Sequence, residues 1–368
     1  MKRAVCLALS LLLALTPALA ADGAQAFPQT EEYAGYSDVS QGDWFYPYAK
    51  LCYEVGLMGG SGGQFSPQAS ITVAELAAVS ARVRETLTGQ PIAQGKEGDL
   101  WYARYIETLA ADGVTGLEAP NAAATRLQFL QMLDKVTPAE ALAPINHIRA
   151  LPDTTDAAVL RFYNAGVLTG MDEAGTFQGD KGLTRAEAAA MLARIARPEQ
   201  RVAFTPANAA QTEFAAWLRN VDETAEELQR NCDLAGLAPE TPMLVIEGVG
   251  TVEARYYLPL LNSALDMVRQ AAEEQGFGDQ SLWTLRWKSN GVSLGADEVA
   301  EQGVLEALLR GAMEAQRLAI PEDAYAETLT QYYKENVTIA PALERLDVQA
   351  YEDARQADYK ARLSERDW

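Results

Sequence analysis

Two stretches of this chain can be laid over one another nearly residue for residue, and a repeat of that kind limits the fold more than any other feature of the sequence. In "VGLMGGSGGQFSPQASITVAEL" (55–76) and "AGVLTGMDEAGTFQGDKGLTRAEA" (165–188), Gly56 answers Gly166, Phe65 answers Phe177, Thr72 answers Thr184 and Glu75 answers Glu187. Seven residues separate Phe from Thr in both, and the two-residue difference falls in the glycine-rich loop. Upstream, Asp38 answers Asp153 and Tyr53 answers Tyr163. Between them, "DLWYARYIETLAADGVTGLEAPNAAATRLQF" gives a shortened copy with Trp101, Gly113, Thr125 and Arg126. Each copy reads as a helix, a Gly turn, a loop and a second, capped helix. Thr184 with Glu187 forms a capping box, in which each side chain satisfies a backbone N–H left open at the other. Neither helix of a copy can bury its apolar face alone, so the three copies are expected to pack together.

The first twenty residues stand outside this pattern. "MKRAVCLALSLLLALTPALA" has Lys2 and Arg3, an apolar run and Ala18-Leu19-Ala20, which reads as a secretory signal peptide followed by a linker over 21–35. The run is short for a membrane span, and nothing else in the chain is apolar enough to cross a bilayer. The net charge of −21 is spread along the 368 residues, which argues against nucleic acid and against an anionic membrane surface as partners. Cys52 and Cys232, the two cysteines beyond the leader, are far apart and read as buried thiols rather than a disulfide framework.

The ordered set of an aspartate before an aromatic-led helix, a G-[VLI]-x-x-G turn, a G-x-F loop and a T-R-A-E helix start resembles the S-layer homology (SLH) repeat. The likeness covers 36–88, 97–138 (short) and 149–197. It implies a compact helical bundle that holds an exported protein to the cell wall by binding a secondary wall polysaccharide, often through a pyruvylated sugar. Arg185 follows its cap directly, where the helix dipole favours an anion. A ligand carboxylate could sit there, held by helix N–H groups and a guanidinium fork. On the resemblance, Arg185 and Arg126 become candidate glycan ligands. The alternative is an ion pair with a carboxylate of a neighbouring copy, such as Asp38 or Asp153. The first copy has Val73 where the arginine would be. Asp38, Asp153, Trp44 and Trp101 either contact sugar or lock the first helix of their copy, and the sequence leaves both open.

Residues 205–368 have a different texture. "PANAAQTEFAAWLRNVDETAEELQRNCDLAGL" spaces Phe214, Leu218, Val221 and Leu228 helically up to Gly236. "TPMLVIEGVG" is the one clear strand, and a helix is expected from about Thr251 to Gln275. A further amphipathic helix should turn Val299, Val304, Leu308, Ala312 and Leu318 inward, and another should open at Pro321. A last helix runs towards the end. The strand, Gly turn, helix with Tyr256 and Tyr257, and "LEALLRGAMEAQRLAIPEDAYAETL" resemble the helical chaperone region of SurA- and PrsA-type extracytoplasmic foldases, over about 243–365 and without a prolyl-isomerase domain. That resemblance implies binding of unfolded exported polypeptides.

Little points to catalysis. The single histidine, His147, lies in a linker, and there is no metal-ligand spacing, P-loop or nucleophile elbow. A carboxylate pair could serve a glycosidase, but with 51 acidic residues none is singled out. The expectation is therefore a mainly α protein, not an enzyme and without metal or cofactor: an SLH bundle followed by a mostly helical domain with little strand. It would be exported and bound non-covalently to an anionic wall glycan. The alternatives are an extracytoplasmic foldase without isomerase chemistry and a wall-acting glycoside hydrolase.

Overall fold

The computed structural model describes residues 27–220, 223–278, 280–289 and 291–366; the leader segment 1–20 lies outside them. The fold is mainly α. The described residues divide into two compact units, one formed within 27–145, 161–168 and 179–203, the other within 146–160, 169–178 and 204–366.

The first unit contains α1 (Tyr46–Glu54), α2 (Val73–Thr88), α3 (Ala103–Ala111) and α4 (Arg126–Val136); α5 (Ala157–Asn164) enters it from Arg161, and α6 (Arg185–Ala196) closes it. The second helix of each copy starts with a threonine capping box: Thr72 with Glu75, Thr125 with Gln128, Thr184 with Glu187. Each of these helices buries the face its sequence makes apolar, with Leu76, Leu130, Leu133 and Leu192 fully inside. α1 packs on α6 and α3 on α2, so these first helices are buried against a second helix from a different copy. Arg161 at the end of α5 likewise reaches Asp134 of α4 at 2.6 Å and the Thr137 carbonyl at 2.8 Å. Any one of these helix pairs alone would leave its apolar face wet, so the helices of this unit pack as a set.

The Gly turns terminate the first helices in left-handed backbone, at φ 70° for Gly56 and 73° for Gly166. At Gly166 a side chain is also sterically barred, since a Cβ would fall 2.8 Å from the Val202 carbonyl oxygen.

The second unit carries most of its mass in 204–366. It runs through α7 (Ala209–Arg219), α8 (Ala225–Ala235), β1 (Pro242–Ile246), β2 (Gly250–Glu253), α9 (Ala254–Glu274), β3 (Trp287–Ser289), β4 (Val292–Leu294), α10 (Ala296–Ala315), α11 (Tyr325–Asn336), β5 (Val337–Ile339), α12 (Pro341–Glu344) and α13 (Val348–Arg366). β2-β1-β5 form an antiparallel sheet, with Leu244 opposite both Val252 and Ile339; β3 and β4 form a separate hairpin. α9 packs along α10 and α8, and their apolar stripes make one core with Met243, Leu258, Leu265, Val304 and Leu308 at its centre.

Several expectations are corrected here. The helical spacing over 205–236 belongs to two helices, because Thr224 and Glu227 build a fourth capping box that starts α8 afresh; Val221 lies outside the described residues. The helix expected from Thr251 begins at Ala254, the preceding residues pairing as β2. Leu318 is 46% exposed rather than inward, because α10 ends at Ala315 and Arg317 turns left-handed at φ 59°. Pro321 precedes a single 3-10 turn, and α11 starts only at Tyr325. Cys52 and Cys232 are buried free thiols.

Candidate functional site: the helix starts and the aromatic face of the first unit

The three capped helices meet at their N-termini. Ile71 donates its N–H to the Leu183 carbonyl (2.9 Å), Leu183 to Ala124 (3.2 Å), and Ala124 back to Ile71 (2.8 Å), closing a ring of three backbone hydrogen bonds. All three side chains are fully buried. Around the ring, the first two N–H groups of each helix donate to the loop of another copy: Val73 and Ala74 to Ala122 and Pro120, Arg126 and Leu127 to Lys181 and Gly179, Arg185 and Ala186 to Ala69 and Pro67. The third N–H of each goes to the cap threonine. The donors that make a helix N-terminus an anion site are thus consumed inside the unit.

Arg185 and Arg126 sit on this ring. Arg185 is 8% exposed. Its Nε donates to the Phe65 carbonyl at 2.8 Å, one terminal nitrogen donates to the Gly59 carbonyl at 2.5 Å, and the other pairs with the Glu75 carboxylate. The guanidinium also lies over the Phe65 ring, 5.2 Å from its centroid. The anion that offsets an arginine in this first turn is therefore the cap glutamate of another copy, rather than Asp38 or Asp153. Arg126, 3% exposed, is 3.8 Å from Glu187, the cap glutamate of α6. The order is cyclic: α4 to α6, α6 to α2. The remaining link falls on Val73 and Gln128, so where the arginine is missing the facing glutamate has become a neutral amide.

The aspartates have a different task. Asp38 accepts from the N–H groups of Phe65 (2.8 Å) and Ser66 (2.7 Å), and Asp153, in the second unit, accepts from Phe177 (2.9 Å) and Gln178 (2.7 Å). Ser66 and Gln178 are non-glycine residues in left-handed backbone, φ 57° and 55°, and the carboxylates hold those loops in place. Burial pushes the Asp38 carboxyl up, but the two N–H donors and the nearby Arg185 charge outweigh it, leaving it below the usual aspartate range.

Trp44 and Trp101 are the aromatic members of the set, each 58% accessible. Trp44 meets Phe45 and Tyr48 edge-on, at 5.6 and 6.4 Å between centroids; Trp101 meets Tyr102 and Tyr105 likewise, at 5.5 and 6.4 Å. Beside Trp101 lies a pair of residues the sequence reading missed. Arg82 and Arg104 both donate to the Tyr105 hydroxyl, at 3.3 and 2.5 Å, and both lie over its ring, at 5.4 and 4.6 Å. Neither makes an ion pair among the described residues. Burial raises the Tyr105 pKa, but the two guanidiniums prevail and hold it below the usual tyrosine range. Arg82 also bonds the Leu57 carbonyl at 3.0 Å, as Arg194 bonds Val167 at 2.9 Å; both stand ten residues after their threonine cap. That spacing was a legible signal, whereas the meeting with Arg104 depends on α2 packing against α3.

Residues 35–77 match the family model of the S-layer homology domain. An S-layer homology domain is a non-covalent cell-wall attachment module, and the match associates this chain with the cell surface. It spans Asp38, Trp44, the Gly56 turn, Phe65, Thr72 and Glu75. A search of curated proteins returns no match. Among the described residues no helix is long and apolar enough to cross a membrane, no cluster of His, Cys, Asp and Glu could hold a metal ion, and His147 is exposed.

Proposed function

We propose that residues 36–197 form three SLH repeats that anchor this exported protein to the cell wall by binding an anionic secondary wall polysaccharide. The observation that carries the reading is the Trp101 face: an exposed indole abutting Tyr105, on which two arginines converge without a carboxylate partner in a chain of net charge −21. Trp44 and Trp101 offer flat apolar surface to sugar rings. Arg104, with Arg82 behind it, offers the fork that a sugar carboxylate takes. Arg126 and Arg185 keep the three helix starts of the first unit together and Asp38 holds its 65–66 loop, so these three act on the glycan site by positioning it; Asp153 holds the 177–178 loop of the second unit. The helical domain over 205–368 would be displayed at the wall, where a role in handling exported polypeptides fits its foldase resemblance.

Co-sedimentation with purified walls, before and after acid extraction of the secondary polymer, tests the anchor. Binding should disappear on extraction and fall at least tenfold in Trp101→Ala and Arg104→Gln, both at exposed positions, without loss of helical signal. Binding indifferent to extraction and to both substitutions overturns the assignment. A folded chain that binds normally with Trp101→Ala but not with Arg185→Ala would return the contact to the helix starts.

A further inference from the structure

The second unit holds a cavity of about 440 Å³ between the sheet and α10. Its apolar wall comes from Leu244 on β1, Leu305 on α10 and Ile339 on β5; Glu298 and Glu301 from α10 and Glu344 from α12 also line it. No lysine, arginine or histidine is among its lining residues.

The polar groups are unevenly satisfied. Glu298 accepts the Gly295 N–H at 2.7 Å as part of the α10 cap. The carboxylates of Glu301 and Glu344 have no hydrogen bond or ion pair among the described residues. Burial, then the charges of Asp297 and Glu298, push the Glu301 carboxyl above its usual range, as expected for an acid facing other acids across low dielectric. Tyr257, also on the wall, is 3% exposed, and its hydroxyl makes no hydrogen bond to any described residue. On the cavity wall, that open phenol oxygen is an acceptor a ligand can use.

We propose that this cavity binds an alkylammonium chain of lysine length, its methylenes against Leu244, Leu305 and Ile339 and its ammonium between Glu301, Glu344 and the Tyr257 hydroxyl. An ammonium has three donors and no acceptor, which matches two open carboxylates and one phenol oxygen. A methylene stem matches the apolar wall. An anion would not complement the site, because no positive group lines it. The proposal concerns the helical unit alone and stands independently of wall binding. The same chemistry is carried by a lysine side chain in a polypeptide and by a free diamine.

Titration calorimetry on the full chain separates these cases. The probes are Nα-acetyl-lysine methylamide for the peptide-borne chain, cadaverine for the free diamine, and Nα-acetyl-norleucine methylamide, which replaces the ammonium by a methyl. At least one amine should bind, tenfold or more above the norleucine compound, and whichever amine binds tighter assigns the source. Glu301→Gln should weaken that binding at least tenfold and Tyr257→Phe about threefold, while far-UV dichroism stays unchanged. Amide shifts on titration should centre on Tyr333 and Ile339. Neither amine binding, equal binding of lysine and norleucine compounds, or Glu301→Gln binding like wild type overturns the proposal.

Discussion

Removal of the Arg185 guanidinium is the sharpest test of what holds the first unit closed. In Arg185→Ala, the Phe65 and Gly59 carbonyls lose their donors and Glu75 loses its counter-ion. A hydrogen bond to a charged group contributes about 1.5–3 kcal/mol, and breaking a buried ion pair from one side costs about 3–5 kcal/mol. The Glu75 side chain is 31% exposed and keeps its bonds to Thr72, so it rehydrates in part and the lower end applies. The expected loss is about 3 kcal/mol, or roughly a hundredfold in the opening equilibrium at 1.4 kcal/mol per decade. Native-state hydrogen exchange of the Ile71, Ala124 and Leu183 amides reads it directly, because these form the ring beside Arg185. Arg185→Lys should fall in between, since an ammonium cannot reach three separate acceptors in a fixed fork. Ring amides that exchange within threefold of wild type in Arg185→Ala would refute the reading and leave the arginine free for a ligand.

Other outcomes follow from particular contacts. Because the folded-state Asp38 pKa is depressed, its contribution to stability is complete above the unfolded value of about 4 and is lost as the pH falls through the folded value; urea titrations of wild type and Asp38→Asn should differ at pH 7, and the difference should shrink as the pH falls below the unfolded value. Gly60→Ala should destabilise the first unit by about 2 kcal/mol, because a Cβ there would lie 2.2 Å from the Gln64 carbonyl oxygen and 2.5 Å from the Tyr36 ring, a loss visible as a lower melting temperature. Burial pushes the Cys52 thiol up to about 12, and burial with the Asp233 charge pushes Cys232 up to about 11. Neither should be labelled by a thiol reagent at about pH 8 until the chain unfolds, and mass mapping of the labelled peptides checks both.

Much of this architecture was legible because it is written in local code. A threonine three residues before a glutamate is a local signature of a helix start, and Thr72 and Thr184 cap as their spacing says. The same code was present at Thr224 and was overridden in the reading by an apolar period running through it. Asp38 and Asp153 were visible as recurring residues, but their sequence positions gave no view of the N–H groups 27 and 24 residues downstream that they hold. Arg185 was visible as an anomaly, a cation where a helix wants an anion, and the anomaly was real. Its partner lies 110 residues away.

By itself the sequence determined the mainly helical class, the glycine turns and caps, and the apolar faces, since each depends on residues within a few positions of one another. Tertiary structure alone decided which charges meet. It consumed the helix N-termini in a closed ring, paired Arg185 with Glu75 and Arg126 with Glu187, and left Arg82 and Arg104 converging on Tyr105 beside an open tryptophan. It likewise gathered three glutamates and a buried phenol around one cavity from elements 87 residues apart in the chain. The physical reason is range: backbone conformation and burial patterns are set by near neighbours, whereas the state of a charge is set by what packing brings within a few ångströms of it.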